Sequence, residues 1–357
     1  MHSKKSPTPL ADSLATVLMV MVGAFVLFNH VIHAAPYSSD MAELTLCAWV
    51  GGVPHSPGYP LWTRLAQFAL FIQEGSDPVH AIGRMSAVFA ILAALLSRST
   101  LRMLDVDTWA ATGAASLLLI VPLCVRTFSI PEVYALDMLL LSLSIWANQK
   151  GALNSQGIWT AVGWMTALLS IGHRSINVIL LAVIAIAWSP IRSRPRFVLY
   201  GLGAGITLQS LLYADLWMRI SDPSTRWIDE HIQTTADSFL RFVVGLPFER
   251  FFSFSGGGLH LDPSSFGVQC IGLLLAALML PVSARKSRLG WGLFLMTAWH
   301  LIFISMYQVG DNEFFLFPVL WAGAISLGLS TQLINKKLQS PLSAVFCVAV
   351  FALCIVN

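Results

Sequence analysis

Residues 59–73, YPLWTRLAQFALFIQ, decide how the chain is threaded. The stretch is apolar but shorter than the ~20 residues a membrane-crossing helix needs. It carries Arg64 and Gln67 and opens at Gly58-Tyr59-Pro60. Around it, longer apolar segments recur near 14–34, 79–100, 108–125, 133–148, 157–172, 175–190, 197–215, 265–283, 290–307, 314–333 and 341–356. If 59–73 lies in the interface, every second connection carries the basic clusters. These are Lys4/Lys5, Arg98/Arg102, Lys150, Arg192/Arg194/Arg196, Arg285/Lys286/Arg288 and Lys336/Lys337. If it crosses, the first lysines oppose all the later clusters, against the positive-inside rule. The expectation is therefore an all-α polytopic membrane protein of about eleven transmembrane helices. Residues 1–357 form a single transmembrane domain with a cytoplasmic amino terminus, and 59–73 is a re-entrant or interfacial helix.

Composition agrees. Of 357 residues, 56% are hydrophobic and 11% charged, against roughly 25% charged in an average soluble domain. So few charges cannot coat a water-facing surface, and lipid must be the outer solvent. The net charge of +3, with no basic patch interleaved with aromatics, excludes a nucleic-acid surface. Five scattered cysteines, mostly inside apolar runs, form neither a disulfide framework nor a metal-ligand pattern. Lys4 and Lys5 before an apolar run resemble a signal peptide, but the run is long enough to stay as the first helix.

The acids gather on the side opposite the lysines, in outside loops 35–78 and 216–264 above all. In the first loop, Asp40 and Glu43 are three apart and share a face if the segment is helical. A carboxylate at that position can act as general base on an incoming hydroxyl; equally, the pair has the spacing of a capping box. In VPHSPGYP, residues 53–60, three prolines and a glycine hold His55 and Tyr59 in a rigid turn. That turn either orients a sugar or phosphate or simply bends the chain. RTFSIPEVYALD, residues 126–137, sets Arg126 and Glu132 at a helix entrance, again with capping-box spacing from Ser129 to Glu132. SIGHRSIN, residues 170–177, carries His173 and Arg174 in a very short turn. Arg174 there is an anion anchor or an arginine snorkelling to headgroups. The middle of 216–264 reads as an amphipathic helix on the membrane, followed by Gly256-Gly257-Gly258, a flexible loop or a phosphate-approaching one. Asp311 precedes the tenth span as a cap or as part of the site.

Together these motifs resemble the GT-C superfamily of membrane glycosyltransferases, in particular the transmembrane-protein-260-like protein O-mannosyltransferase branch and its bacterial relatives. In that branch an Asp-Ser-Gly-Glu signature precedes Gly-Val-Pro-His-Pro-Pro-Gly-Tyr-Pro-Leu. Here SSDMAEL keeps Asp40 and Glu43, with Met41 and Ala42 between them, and GVPHSPGYPLW differs only at Ser56. PEVYALD, SIGHRSIN, FLRFVVGLPFERF (239–251) and YQVGDNEFFLFP (307–318) extend the likeness along most of the chain.

The resemblance implies a polyprenyl-phosphate sugar donor, with mannose the sugar of the O-mannosyltransferase branch, and a protein or glycan acceptor on the non-cytoplasmic face. It makes Asp40 the base, with Glu43 beside it, and implies that 59–73 does not cross. His55, Tyr59, Arg126, Glu132, His173, Arg174 and Asp311 are then the substrate-binding candidates. No metal constellation is legible, although two carboxylates near a phosphate are compatible with Mg²⁺ or Mn²⁺. The competing expectations are a transporter or flippase of a lipid-linked or anionic substrate, which calls for ionisable groups at mid-membrane, and an inactive scaffold of the same fold.

Overall fold

The computed structural model describes residues 9–32, 39–188, 194–225, 234–245, 288–307 and 315–331. Among these every regular element is helical. In chain order they are α1 (Pro9–Ile32), α2 (Ser39–Val50), α3 (Pro60–Ile72), α4 (Pro78–Met103), α5 (Thr108–Ile120), α6 (Pro122–Phe128), α7 (Tyr134–Asn154) and α8 (Gly157–His173). A 3₁₀ turn (Ser175–Val178) leads into α9 (Ile179–Trp188), then α10 (Pro195–Ser221), α11 (Ala236–Val243), α12 (Arg288–Met306) and α13 (Phe317–Ser330). The expected segments 265–283 and 341–356, Asp311, the triple glycine and much of loop 216–264 lie outside the described residues.

Helix starts follow local chemistry. Asp77 accepts from the amides of Val79 and His80 and caps α4, with Pro78 in the first turn, where a missing N–H costs nothing. Asp107 caps α5 in the same way. Pro122 breaks the segment expected as one span over 108–125: α5 and α6 meet at 62°, because a proline cannot continue the hydrogen-bond ladder.

Four helices among the described residues are long and apolar enough to cross a membrane, within Pro9–Val31, Pro78–Met103, Pro195–Ser221 and Arg288–Met306, and a fifth if the bent α5–α6 pair counts as one. They present Met21, Phe25, Leu199 and Leu211 outward, each more than 60% exposed. In water such surface would drive association, so the molecule is an integral membrane protein.

The core runs through α4, α5 and α7, with α1 and α13 packed on α5, α8 on α7, α10 on α8, and α12 on α9. Between α8 and α10 the backbones approach so closely that a Cβ at Gly201 would sit 2.4 Å from the Ala161 carbonyl oxygen. Small residues that admit such contact are a usual device of helix pairing in lipid.

The antiparallel helices leave two unlike ends. At one, Asp12 near the start of α1 meets Arg98 and Arg102 near the end of α4 and Thr108 at the start of α5. At the other end lie α2, α3, the α6–α7 junction and the turn after α8, and the sequence-derived candidates belong to these elements.

Candidate active site

Helix α2 places Asp40 in its first turn, with Glu43 one turn on. The Glu43 carboxylate accepts from the backbone N–H of His55 at 2.7 Å and from His55 Nδ1–H at 2.8 Å. This double bond-pair ties the proline-rich turn to α2 and fixes the imidazole. Burial pushes the His55 pKa down, but the bond to Glu43 and the charges of Glu43, Asp40 and Glu132 outweigh it, so the net value is raised.

The turn itself is clamped from outside. Ser56 Oγ donates to the Phe242 carbonyl of α11, and Arg219 of α10 donates to the Gly52 carbonyl at 2.8 Å. Gly58 has φ of 81°, and a Cβ there would lie 2.8 Å from Leu216 Cδ2; only glycine fits both conditions. Tyr59 follows in a left-handed conformation as the N-cap of α3. Helix α3 is then anchored by Trp62, fully buried, whose Nε1–H donates to the Glu132 carbonyl at 3.1 Å, and by Arg64, which pairs with Asp215 of α10.

These contacts bring distant candidates together. The His55 and Tyr59 rings meet edge-on at 5.5 Å and Tyr59 meets His173 at 5.6 Å. Burial raises the Tyr59 phenol pKa; Arg174 works against that shift, while Asp40, Tyr307 and Glu132 add to it. His173 Nε2–H donates to the Val133 carbonyl at 3.0 Å, leaving Nδ1 as a buried acceptor without a partner among the described residues. Arg174 is buried too. Its Nη1 donates to Asp137 at 3.1 Å, and its guanidinium lies 4.8 Å from the Tyr134 ring and 4.4 Å from that of Phe315. The snorkelling alternative for Arg174 is thereby corrected: the group points into protein, where a carboxylate and two aromatic faces stabilise it better than headgroups would.

Asp40, Glu43, His55, Tyr59, Glu132, His173 and Arg174 thus form one cluster. Arg126 stands exposed at the end of α6, and Asp311 is outside the described residues. The cap expected at Ser129 is also corrected. Its hydroxyl donates to the Val125 carbonyl, and α7 starts later, at Tyr134, without a side-chain cap.

Asp40, Glu43 and His55 each offer one donor atom, and these lie within 4.8 Å of one another. Two carboxylates and an imidazole suit a divalent ion. The sequence hid this set because it is the fold, with the Glu43–His55 bonds, that brings position 55 back onto α2. Sequence reasoning also missed Asp137, Ser170 and Asn177. A lone acid inside an apolar helix was their signal.

The helical arrangement is similar to that of an archaeal membrane oligosaccharyltransferase. Crystal structures of the Archaeoglobus fulgidus oligosaccharyltransferase superpose on the chain. The apo form gives a TM-score of 0.53 at 12% identity, covering 98% of this chain and 55% of that one. The complex with Zn and sulfate gives 0.51 at 13%, covering 95% and 52%. The same enzyme in complex with an inhibitory peptide and a dolichol-phosphate gives 0.53 at 13%, covering 97% and 54%. The chain therefore spans about half the length of the structures it matches. Within it, residues 40–196 match the family model of the protein O-mannosyl-transferase TMEM260 N-terminal domain, as the motif resemblance implied. The comparison with curated proteins gives no match.

Proposed function

We propose that this protein transfers a sugar, mannose in the reading the family match favours, from a polyprenyl-phosphate donor to a hydroxyl of a protein or glycan at the non-cytoplasmic membrane face. The observation that carries the reading is the convergence of Asp40, Glu43, His55, Tyr59, Glu132 and Arg174, from four separate stretches of chain, at one end of an oligosaccharyltransferase-type fold. The archaeal relative is described with a peptide and with dolichol-phosphate, ligands of the same two classes.

Asp40 takes the proton of the acceptor hydroxyl as that oxygen attacks the anomeric carbon. The anomeric carbon–phosphate oxygen bond breaks with its electrons going to the phosphate, through a transition state of oxocarbenium character. Negative charge grows on the departing lipid phosphate, where the fixed guanidinium of Arg174 stabilises it most. His55, held by Glu43, orients sugar or acceptor with Glu132; Tyr59 lies between His55 and His173, and Arg126 is a reserve cation. A divalent ion held by Asp40, Glu43 and His55 would supply Lewis-acid polarisation of phosphate oxygens.

Eleven spans with the amino terminus in the cytoplasm complete the proposal, and α3 does not cross. At thirteen residues it is roughly 20 Å long, short of a hydrocarbon core of ~30 Å, and its Arg64 is paired with Asp215.

The test is transfer of labelled mannose from a polyprenyl-phosphate mannose to membrane protein or glycan in proteoliposomes. Asp40→Asn should lower turnover by about 10²–10⁴-fold. A purified variant that transfers at the normal rate would overturn the assignment.

A further inference from the structure

Two motifs that the mechanism uses only in part, PEVYALD and SIGHRSIN, meet inside the bundle. Asp137 of α7 is 1% exposed and Arg174 is 6% exposed. A structural lock between two helices would use the guanidinium fork in full, with two parallel bonds to one carboxylate. Here the pair makes a single bond, Nη1 to Oδ2 at 3.1 Å. The reason is visible on the other carboxylate oxygen. Oδ1 accepts from Asn177 Nδ2 at 2.5 Å and from Ser170 Oγ at 3.4 Å, and Asn177 also donates to Ser170 Oγ at 2.9 Å. These bonds set the rotation of the Asp137 carboxylate and keep Oδ1 from the arginine. The Tyr134 and Phe315 rings restrict the guanidinium. Arg174 Nη2 is left as a charged donor sealed from solvent with no acceptor among the described residues. An unpaired donor of this kind is costly in a low-dielectric interior, so its persistence calls for a ligand atom.

From this geometry we infer that Asp137 is a positioning residue: with Ser170 and Asn177 it holds Arg174 by one amino group and keeps the other for the donor's phosphate. The inference rests on the reading of Arg174 as the phosphate anchor. Asp137 neutralises the guanidinium while the donor is absent. It also stops the side chain from swinging when the leaving phosphate gains charge, which is when placement matters most.

Three variants in detergent test it, with farnesyl phosphate as the binding probe and release of free mannose from polyprenyl-phosphate mannose as the turnover readout. Arg174→Gln should weaken farnesyl phosphate binding by about tenfold or more, since it removes a charge-assisted bond. Unchanged binding there overturns the phosphate reading itself, and with it this inference. Asp137→Asn removes the counter-charge but keeps the shape. Binding should be as tight as in the wild type or tighter, while turnover per folded molecule falls by about 10–100-fold, the scale of a small misplacement. If Asp137→Asn lowers only thermal stability, with binding and turnover per folded molecule at wild-type level, the pair is a structural lock and the positioning role is wrong. Asn177→Ser leaves both charges in place and covers the case in which Asp137→Asn does not fold. It should lower turnover in the same direction by a smaller factor with binding retained, and wild-type turnover in this folded variant would equally overturn the inference.

Discussion

The Asp12 cluster at one end of the helix bundle and the Arg174 pair at the other hold their guanidiniums differently. At the end built from the start of α1 and the close of α4, one carboxylate serves two guanidiniums. Asp12 accepts from Arg98 at 2.8 Å, from Arg102 at 3.1 Å and from Thr108 at 3.0 Å. Arg98 also bonds Thr112, and Arg102 the Val106 carbonyl. Lys150 rests on the faces of Trp146 and Trp159. At the end that holds the candidate site, Arg174 uses one amino group and leaves the other without an acceptor among the described residues, and His173 Nδ1 and Asn177 Oδ1 are likewise buried without partners. A charged donor left unmet in a dry interior costs more than a neutral group such as Asn148 Oδ1, which is also buried without a partner among the described residues, and that charge is what sets Arg174 apart. Similar residue types therefore do different work at the two ends.

The sharpest way to break this contrast is to compare loss of chemistry with loss of stability. Asp40→Asn carries the largest expected effect, the 10²–10⁴-fold fall in transfer, with the melting temperature close to that of the wild type. Asp12→Asn should do the reverse. It removes the negative charge shared by Arg98 and Arg102 while leaving an amide oxygen to accept, and should cost about 1 kcal/mol of stability, while mannose transfer per folded molecule stays at the wild-type rate. Thermal unfolding in detergent beside an activity assay checks both, and loss of transfer in folded Asp12→Asn would erase the distinction between the ends.

Smaller effects sharpen it. Gly58→Ala places a Cβ against Leu216 and Phe242 at a positive φ, at a cost of about 1–2 kcal/mol from the backbone alone. A lowered melting temperature and a raised KM, from displacement of His55 and Tyr59, are the expected outcome.

The smallest effect is a pH dependence. The folded protein raises the His55 pKa above its ordinary ~6.5, because Glu43, Asp40 and Glu132 together outweigh the burial that would lower it. A raised value means the contribution to stability is fully present below pH ~6.5 and is lost as pH rises through the folded-state value. The stability difference between wild type and Glu43→Gln should therefore be largest near pH 6 and shrink toward pH 8. A difference that grows with pH would show that the pair is not charged as described.

Much of the candidate cluster was readable in the chain before folding. Asp40, Glu43, His55 and Tyr59 stand within twenty residues, and proline and glycine mark their turn. His173 and Arg174 advertise themselves as ionisable residues between two apolar runs. The capping-box spacing at Ser129 misled because the same residue types serve helix caps and other bonds, and only the neighbours decide between them. Ser129 closes α6 instead of opening α7. Asp137 went unselected because a single acid in a helix says nothing of its partners 33 to 40 positions away.

By itself the sequence determined the solvent. With 56% hydrophobic and 11% charged residues, hydrocarbon is the only surrounding in which this chain can hide its backbone, and helices are the form that hides it. It also determined that 59–73 makes a short helix opening on proline, seen as Pro60–Ile72. What only the tertiary structure decided is which polar groups meet. Helix packing brings residue 55 onto 43, 62 onto 132 and 174 onto 137. Whether a buried polar atom ends up paired or waiting depends on contacts between segments far apart in the chain, and local propensity carries no record of those.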